Sequence, residues 1–275
     1  MIKVENVSFR YKDSDLVLNN LNFNVYEGEI LAIVGKNGSG KSTIGKLMAG
    51  ITKLRNGNIW IDDIDISKRK NQEEIRNKVG IVFQNPDNQI IFNDIDDEVA
   101  FSLKNLDKTE IEKRIQEALE KVEMANFREK DLYTLSLGQK QRIMIAEILA
   151  KNPKYIILDE PTTMIDSLGK EKIYKIIKGL KKQGYTIICI TNLADEILLA
   201  DRVLILENGK IVAELQKEEL LEEVDELKKY EIKVPTILEI LAELKKEGIS
   251  LDIEEYTTAQ LLHALKGKLK DEGCY

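Results

Sequence analysis

The chain has 275 residues, 43% hydrophobic and 32% charged, with a formal net charge of −7. This length supports one large domain, or one large and one small, and the composition excludes fibrous and largely disordered classes. The acidic balance disfavours a main role in holding nucleic acid. No apolar run approaches the roughly 20 residues that cross a bilayer, and MIKVENVSF lacks a signal core, so we expect a cytoplasmic protein with free thiols at Cys189 and Cys274.

The first part of the chain is predicted to be rich in β-strands. Alternating polar and apolar positions indicate strands at roughly 2–10 and 17–26, and the apolar run EILAIVG indicates a buried strand at 29–35. Turn residues between two apolar stretches predict a short hairpin over 54–66.

The middle of the chain, from about 97 to 151, changes to a helical period. Thr109-x-x-Glu112 matches a capping box, so Thr109 is expected to open one helix. The apolar face of that helix is predicted to consist of Ile111, Ile115, Ala118, Leu119 and Val122.

Beyond residue 155, strands and helices alternate. YIILD at 155–159 and TIICIT at 186–191 are continuous apolar runs typical of buried parallel strands. A helix near 168–182 separates them and predicts a β-α-β unit. The segment 202–215 predicts a hairpin that turns at Asn208-Gly209.

A change of composition begins at the charge-rich segment 218–231. TILEILAELKKEG and TTAQLLHALKGKL then indicate two amphipathic helices. We therefore predict a small C-terminal domain over 218–275, with dimerisation as one role for it. The only histidine of the chain, His263, lies on the second of these helices and is interpreted as a surface or packing residue.

A glycine-rich segment with the pattern G-x-x-x-x-G-K-[ST] lies between a predicted strand and a predicted helix. Backbone N–H groups of such a loop turn toward phosphates, and the helix adds its positive end. Lys41 is expected to reach the outer phosphates and Ser42 to bind Mg²⁺. The alternative is an ordinary glycine-rich turn. The predicted phosphate-binding residues are Gly35, Lys36, Asn37, Gly38, Ser39, Gly40, Lys41, Ser42 and Thr43.

The segment YIILDEPTT at 155–163 supplies carboxylates to complement the loop. Asp159, at the end of the strand, is expected near the metal, and Glu160 is positioned to take a proton from an attacking water. The alternative is an acidic strand end that leads into a turn at Pro161. Loop and carboxylates together predict phosphoryl transfer to water.

Two further stretches, KVGIVFQNPDNQ at 78–89 and TLSLGQKQRIMIAEILA at 134–150, complete a set that resembles the ATP-binding cassette family. The resemblance covers residues 1 to about 215 and implies ATP and Mg²⁺ as ligands. It implies an α/β fold with a RecA-like P-loop NTPase core, an antiparallel β-subdomain and a helical subdomain at about 92–151. The ATPase domain would span 1–217.

The resemblance assigns roles to two residues whose types alone do not. Tyr11 matches the aromatic residue that stacks on adenine, and Gln84 matches the glutamine that contacts Mg²⁺ and the lytic water. Without the family match, we would interpret Tyr11 as a packing residue and Gln84 as a surface glutamine.

The segment LSLGQ is similar to the signature sequence of the family, which contacts the γ-phosphate of ATP held by a second cassette. This similarity implicates Ser136, Gly138 and Gln139, and Asp166 matches the aspartate of a loop at the dimer interface. A plain helix N-cap is the simpler interpretation of Ser136 and is compatible with phosphate binding at the same helix end.

VFQNPDNQ, DDEVAFSLKN at 96–105 and the C-terminal VPTILEILAELKKEGI resemble the energy-coupling-factor branch of the family. That branch contains the A components of cobalt, nickel and vitamin importers, and this chain looks like the first of its two ATPase types. The resemblance implies three partners: a second ATPase, a transmembrane coupling subunit and a substrate-binding membrane subunit. The chain would be peripheral on the cytoplasmic side of the cell membrane, and its cargo is not determined.

Two residues depart from the family pattern. Leu137 replaces the first glycine of the signature, which removes access to positive φ and crowds the backbone, so we expect a weaker signature site rather than an inactive one. Asn192 replaces a histidine that contacts the γ-phosphate and joins Glu160 and Gln84 in the predicted catalytic set. Asparagine donates a hydrogen bond without a charge, so we expect ATP binding to survive while transition-state stabilisation falls. A heterodimer would place these two defects in different sites, which favours a heterodimer over a homodimer.

Three rival functions remain at this stage. A soluble cassette protein acting on nucleic acid or ribosomes usually adds a coiled coil, zinc cysteines or a second cassette, and the sequence shows none of them. A weakly hydrolysing regulatory subunit fits Leu137 and Asn192, although Glu160 argues against it. A small-molecule kinase is disfavoured by the signature segment.

Overall fold

A computed structural model describes residues 1–12, 15–103, 106–251, 253 and 256–271. Cys274 and the last two residues of the segment 96–105 lie outside the described residues. The strands are β1 Ile2–Phe9, β2 Leu18–Val25, β3 Ile30–Val34, β4 Asn56–Ile61, β5 Ile64–Asp65, β6 Val79–Val82, β7 Tyr155–Asp159, β8 Thr186–Thr191, β9 Arg202–Glu207 and β10 Lys210–Gln216. The helices are α1 Lys41–Met48, α2 Gln72–Lys78, α3 Ile95–Ala100, α4 Lys108–Lys121, α5 Leu137–Ala150, α6 Ser167–Lys182, α7 Ala194–Ile197, α8 Val224–Lys229, α9 Thr236–Lys246 and α10 Thr258–Asp271.

The amino-terminal strands form an antiparallel sheet in the order β2-β1-β4-β5. The predicted alternation is confirmed in β1, where apolar residues at alternate positions such as Ile2 and Val4 are buried. The turn of the predicted hairpin lies at Asp62 and Asp63, both with positive φ. This sheet and α1 share one apolar core that covers one face of a second sheet.

The second sheet has the order β10-β9-β3-β8-β7-β6. Strands β9, β3, β8, β7 and β6 run parallel to their neighbours, and β10 returns antiparallel from the turn at Asn208-Gly209 as predicted. Strand β6 was not predicted, because four residues carry too little periodicity and only the pairing with β7 defines them. Parallel pairing brings the carboxyl ends of β3, β7 and β8 to one edge.

The helical subdomain packs on the other face of the parallel sheet. The predicted apolar face of α4 is confirmed for Ile115, Ala118, Leu119 and Val122, which are buried. The predicted capping box at Thr109 is wrong. Helix α4 begins at Lys108, and Asp107 caps it by accepting the N–H of Glu110 at 2.9 Å, because a carboxylate two residues before Thr109 already accepts from the free N–H groups.

The C-terminal segment packs on the same core as the helical subdomain. Leu220, Val224, Leu227 and Leu238 are buried in the cluster that also holds residues of β9 and β10. His263 is exposed on α10. Among the described helices, none has the combination of length and apolarity that a membrane span requires.

Candidate active site

The phosphate loop connects the carboxyl end of β3 to α1, as predicted. Gly35 has φ 152° and Gly40 has φ 107°, both in the region that favours glycine. A Cβ at Gly35 would lie 2.0 Å from the carbonyl oxygen of Leu206, so this position also excludes any side chain. The loop conformation therefore depends on glycine at both of its ends.

The side chain of Lys41 turns back toward the start of the phosphate loop. Its Nζ donates to the carbonyl oxygens of Gly35 at 2.7 Å and Lys36 at 3.0 Å, and the residue is only 5% exposed. Burial lowers the pKa of Lys41, and the nearby carboxylates of Glu160 and Asp159 oppose that change. A buried ammonium facing the concave side of a glycine-rich loop is suited to bind a phosphate oxygen.

Ser39 adds a second feature that fits a phosphate group. Its hydroxyl oxygen is buried and has no hydrogen-bond partner among the described residues. Because buried polar atoms in folded proteins are almost always paired, this hydroxyl is available to a bound oxygen ligand.

Ser42 and Asp159 form an oxygen pair at the base of the loop. The Ser42 hydroxyl donates to Asp159 Oδ1 at 2.8 Å, across the edge where β7 ends. Burial raises the pKa of Asp159, while the Ser42 hydrogen bond and two lysines oppose that change. Mg²⁺ is commonly held by one carboxylate and a hydroxyl together with substrate phosphates and water, so these residues fit that ion.

Glu160 and Gln84 meet beside this pair. Gln84 Nε2 donates to Glu160 Oε2 at 2.8 Å, and the Thr163 hydroxyl donates to the same oxygen at 3.3 Å. The backbone of Glu160 has φ 51°, a conformation that costs roughly 1–2 kcal/mol for a non-glycine residue. Its N–H donates to the carbonyl oxygen of Ile190 at 2.8 Å, which anchors Glu160 to the end of β8.

Asn192 follows β8 and reaches the phosphate loop. Its Nδ2 donates to Asn37 Oδ1 at 2.7 Å. Its own Oδ1 is buried and has no hydrogen-bond partner among the described residues. Asn192, which replaces the histidine of the family pattern, therefore contacts the phosphate loop through an uncharged amide.

Tyr11 lies beside the start of α1. Its hydroxyl is 3.2 Å from the hydroxyl oxygen of Thr43, and its ring packs edge-on against Phe9 with centroids 4.9 Å apart. Tyr11 is 43% exposed beside the phosphate loop. This placement fits a planar base stacked on the ring.

The signature segment opens α5. Ser136 is its N-cap, accepting the N–H of Gln139 at 3.3 Å while Gln139 Oε1 accepts the N–H of Ser136 at 2.9 Å. Leu137 is the first residue of the helix and is absent from the described residues with positive φ. The weaker contact with the partner's ATP that is expected from Leu137 stays a prediction.

The signature residues lie apart from the phosphate loop. Ser136, Gly138 and Gln139 line a cavity of about 380 Å³ together with Asp166, and no phosphate-loop residue lines it. Asp166 caps α6 by accepting the N–H of Gly169 at 2.7 Å. The predicted residues thus form two groups, with Tyr11, Gln84, Asp159, Glu160 and Asn192 at the loop and Asp166 at the signature.

Two carboxyls in unusual surroundings, Glu196 fully buried and Glu147 partly buried, were missed in the sequence. Glu196 follows Asn192 and is 0% exposed, and Glu147 lies inside α5. Burial and the neighbouring Glu98 raise the pKa of Glu147 to about 7. An acidic residue within an otherwise apolar stretch, as in AEILA and ADEILLA, is the signal that could have found both.

Comparison with known proteins identifies the family. Residues 18–163 match the ABC transporter family. The chain is 40% identical over 273 residues to the energy-coupling factor transporter ATP-binding protein EcfA1 of Clostridium perfringens, covering 96% of this chain and 97% of that protein. It is 38% identical over 269 residues to the protein of the same name from Caldanaerobacter subterraneus, covering 95% and 97%.

Solved structures confirm the predicted α/β P-loop NTPase fold. The cbiO1 protein of Clostridium perfringens, part of the ABC transporter complex cbiONQ, matches with a TM-score of 0.75 at 35% identity, covering 87% of this chain and 97% of that one. A dimeric bacterial ABC transporter cassette matches with a TM-score of 0.72 at 32% identity, covering 79% and 99%.

Proposed function

The chain belongs to the ABC transporter family and is an ATP hydrolase, and we propose that it couples ATP hydrolysis to uptake of a vitamin or metal ion by an energy-coupling-factor importer. The observation that carries the catalytic part is the meeting of four side chains at one sheet edge. Ser42 with Asp159 and Gln84 with Glu160 are each joined at 2.8 Å beside the phosphate loop.

The chemistry divides among these residues. Backbone N–H groups of the loop and Lys41 bind the phosphates. Ser42, Asp159 and Gln84 would hold Mg²⁺, which would neutralise negative charge on the phosphates. Gln84 fixes the carboxylate of Glu160 through its amide. Glu160 then accepts the proton of the attacking water at a carboxylate oxygen as the water bonds to the terminal phosphorus. The bond between that phosphorus and the bridging oxygen breaks in the same step, and ADP leaves with the electron pair.

Tyr11 completes the binding side of the site. Its accessible ring takes the adenine, held in place by Phe9 and by the hydroxyl of Thr43. Asn192 Nδ2 donates one of its two N–H groups to Asn37, and the second is available to the γ-phosphate of the bound ATP.

A second ATPase is the first proposed partner. The signature residues of this chain lie apart from its own phosphate loop. An ATP that contacts both a phosphate loop and a signature would therefore bind between two chains, with the loop from one and the signature from the other. Leu137 affects the ATP of the partner, whereas Asn192 affects the ATP of this chain. A partner with a full signature and a histidine would leave one defect in each site, which supports a heterodimer.

Membrane subunits are the remaining proposed partners. A groove of about 760 Å³ lies between α2 and the helical subdomain and is lined by residues that include Arg76, Phe101 and Glu147. Gln89 Nε2 donates to Glu147 at 3.3 Å and its Oε1 accepts the N–H of Phe83 at 3.3 Å, which links the groove wall to the Gln84 segment. A transmembrane coupling subunit seated here would place this chain on the cytoplasmic side of the membrane, with a further membrane subunit choosing the cargo.

The proposal is tested by ATP turnover of the purified chain, alone and mixed with a candidate second ATPase and membrane subunit. We expect turnover to rise at least about tenfold in the complex. The reason is that the partner would supply a full signature, whereas the lone chain can supply only its own signature, in which Leu137 replaces glycine. Equal rates per site in the lone chain and the complex would contradict the heterodimer. Tight ATP binding without turnover in any mixture would instead show a regulatory subunit.

Restoring the histidine is a separate prediction. The variant N192H is expected to raise kcat in the complex by about tenfold, because an imidazolium adds charge where an amide gives only a hydrogen bond. The matched control N192Q keeps the amide and is expected to show no gain. Single-turnover rates in the complex make the comparison, and an unchanged N192H rate would mean that this position does not limit hydrolysis.

A further inference from the structure

Glu196 is a fully buried carboxyl that the proposed mechanism does not use. It lies in α7, four residues after Asn192, and is 0% exposed. The Thr162 hydroxyl donates to its Oε1 at 2.5 Å, and the Cys189 thiol donates to its Oε2 at 3.5 Å. Both carboxyl oxygens are therefore used to join separate elements.

Thr162 belongs to the turn that carries Glu160. The turn follows β7, and Thr162 is 0% exposed. Its hydroxyl oxygen lies 3.4 Å from the hydroxyl oxygen of Tyr174 in α6. The N–H of Glu160 donates to Ile190 in β8. Two hydrogen bonds thus hold this turn. The N–H of Glu160 connects it to β8, and the hydroxyl of Thr162 connects it to Glu196 in α7.

We propose that Glu196 is a positioning residue for ATP hydrolysis, whose buried carboxyl ties the Glu160 turn through Thr162 to the segment that carries Asn192. A non-glycine residue with φ 51° keeps that conformation only where its surroundings fix it. If the hydrogen bond between Thr162 and Glu196 is lost, only the backbone hydrogen bond from Glu160 to Ile190 remains of these two connections. Glu160 then loses its alignment with Gln84.

Burial of a carboxyl here is costly unless its position serves the site. An apolar side chain in the same space would avoid the desolvation of two oxygens. Burial raises the pKa of Glu196, and hydrogen bonds from Thr162, Thr191 and Cys189 oppose that change. These donors come from the Glu160 turn and from β8, so the carboxyl joins the two segments that bear the proposed catalytic residues.

The test uses three variants in the full ATPase assembly, and it rests on the role proposed for Glu160. E196A and T162V each remove one side of the tie and are expected to lower kcat by about tenfold to a hundredfold, with the KM for ATP within about twofold. E196Q keeps an acceptor for Thr162 and is expected to retain kcat within about threefold. The double variant E196A/T162V is expected to fall no further than the more impaired single variant.

The control for a merely structural role is E29Q. Glu29 is a partly buried carboxylate, with its side chain 12% exposed, and it pairs with Arg202 at 2.7 Å beside the amino ends of β3 and β9. Its loss is expected to lower the melting temperature without changing kcat. E196A behaving like E29Q would overturn the proposal, and so would additive losses in the double variant. E160Q run in parallel separates the two roles, because full activity in E160Q removes the proposed base whatever the Glu196 variants do.

Discussion

Replacing Glu160 by glutamine is expected to lower kcat for ATP hydrolysis by about 10²- to 10⁴-fold while ATP affinity changes by less than about threefold. Glutamine has the shape of glutamate and preserves the hydrogen-bonded position near Gln84 and Thr163, which both donate to Oε2 in the native chain. It cannot accept the proton of the attacking water. The affected step is therefore the chemical one.

Single-turnover hydrolysis and equilibrium binding of ATP with Mg²⁺ measure the two quantities separately. The matched control is E171Q, because Glu171 is an exposed carboxylate on α6. We expect E171Q to keep the native rate within about twofold, as surface substitutions usually do. An E160Q rate above a tenth of the native rate would assign the base to another residue, and a parallel loss of ATP affinity would indicate that the turn had collapsed.

Replacing Lys41 by methionine is expected to weaken ATP binding by about 10- to 100-fold, since a charge-assisted hydrogen bond contributes about 1.5–3 kcal/mol. Lys41 is buried, and its ammonium is held by two loop carbonyl oxygens before any ligand arrives. Methionine fills a similar volume, so the fold should persist. The loss also reaches hydrolysis, because the cation is absent at the transferring phosphate.

The comparison for this variant is K36M. Lys36 lies in the same loop, but its side chain is directed to Glu231, 2.8 Å away in the C-terminal segment. Only its backbone is proposed to bind phosphate, so K36M is expected to weaken binding by about fivefold or less, the range of an exposed ion pair. Calorimetric titration with ATP compares the two. Equal losses in K36M and K41M would mean that general loop charge, rather than the buried ammonium, binds the phosphate.

Several elements needed only local sequence to be predicted. Gly35 to Ser42 form a phosphate loop because the glycines, the lysine and the flanking apolar run are contiguous, and the strand before them could be predicted from five buried residues. The hairpin turn at Asn208-Gly209 and the N-cap at Ser136 are local in the same way. Each depends on interactions within a few residues, which composition and spacing encode directly.

Other features depend on segments distant in the chain. Gln84 and Glu160 are separated by 76 residues, and Thr162 and Glu196 by 34, so no periodicity could pair them. The N-cap of α4 is Asp107 rather than Thr109, because two suitable N-cap residues only two positions apart cannot be told apart in the sequence.

The sequence by itself determined the chemical inventory of this protein: a phosphate loop, two carboxylates after a buried strand, a signature segment and the α/β class. The tertiary structure alone decided which of those groups meet. Parallel pairing of β3, β8 and β7 brings their carboxyl ends to one edge and assembles Ser42, Asp159 and Asn192 there. The physical reason is that side-chain identity is local, whereas strand order depends on the packing of apolar faces along the whole chain.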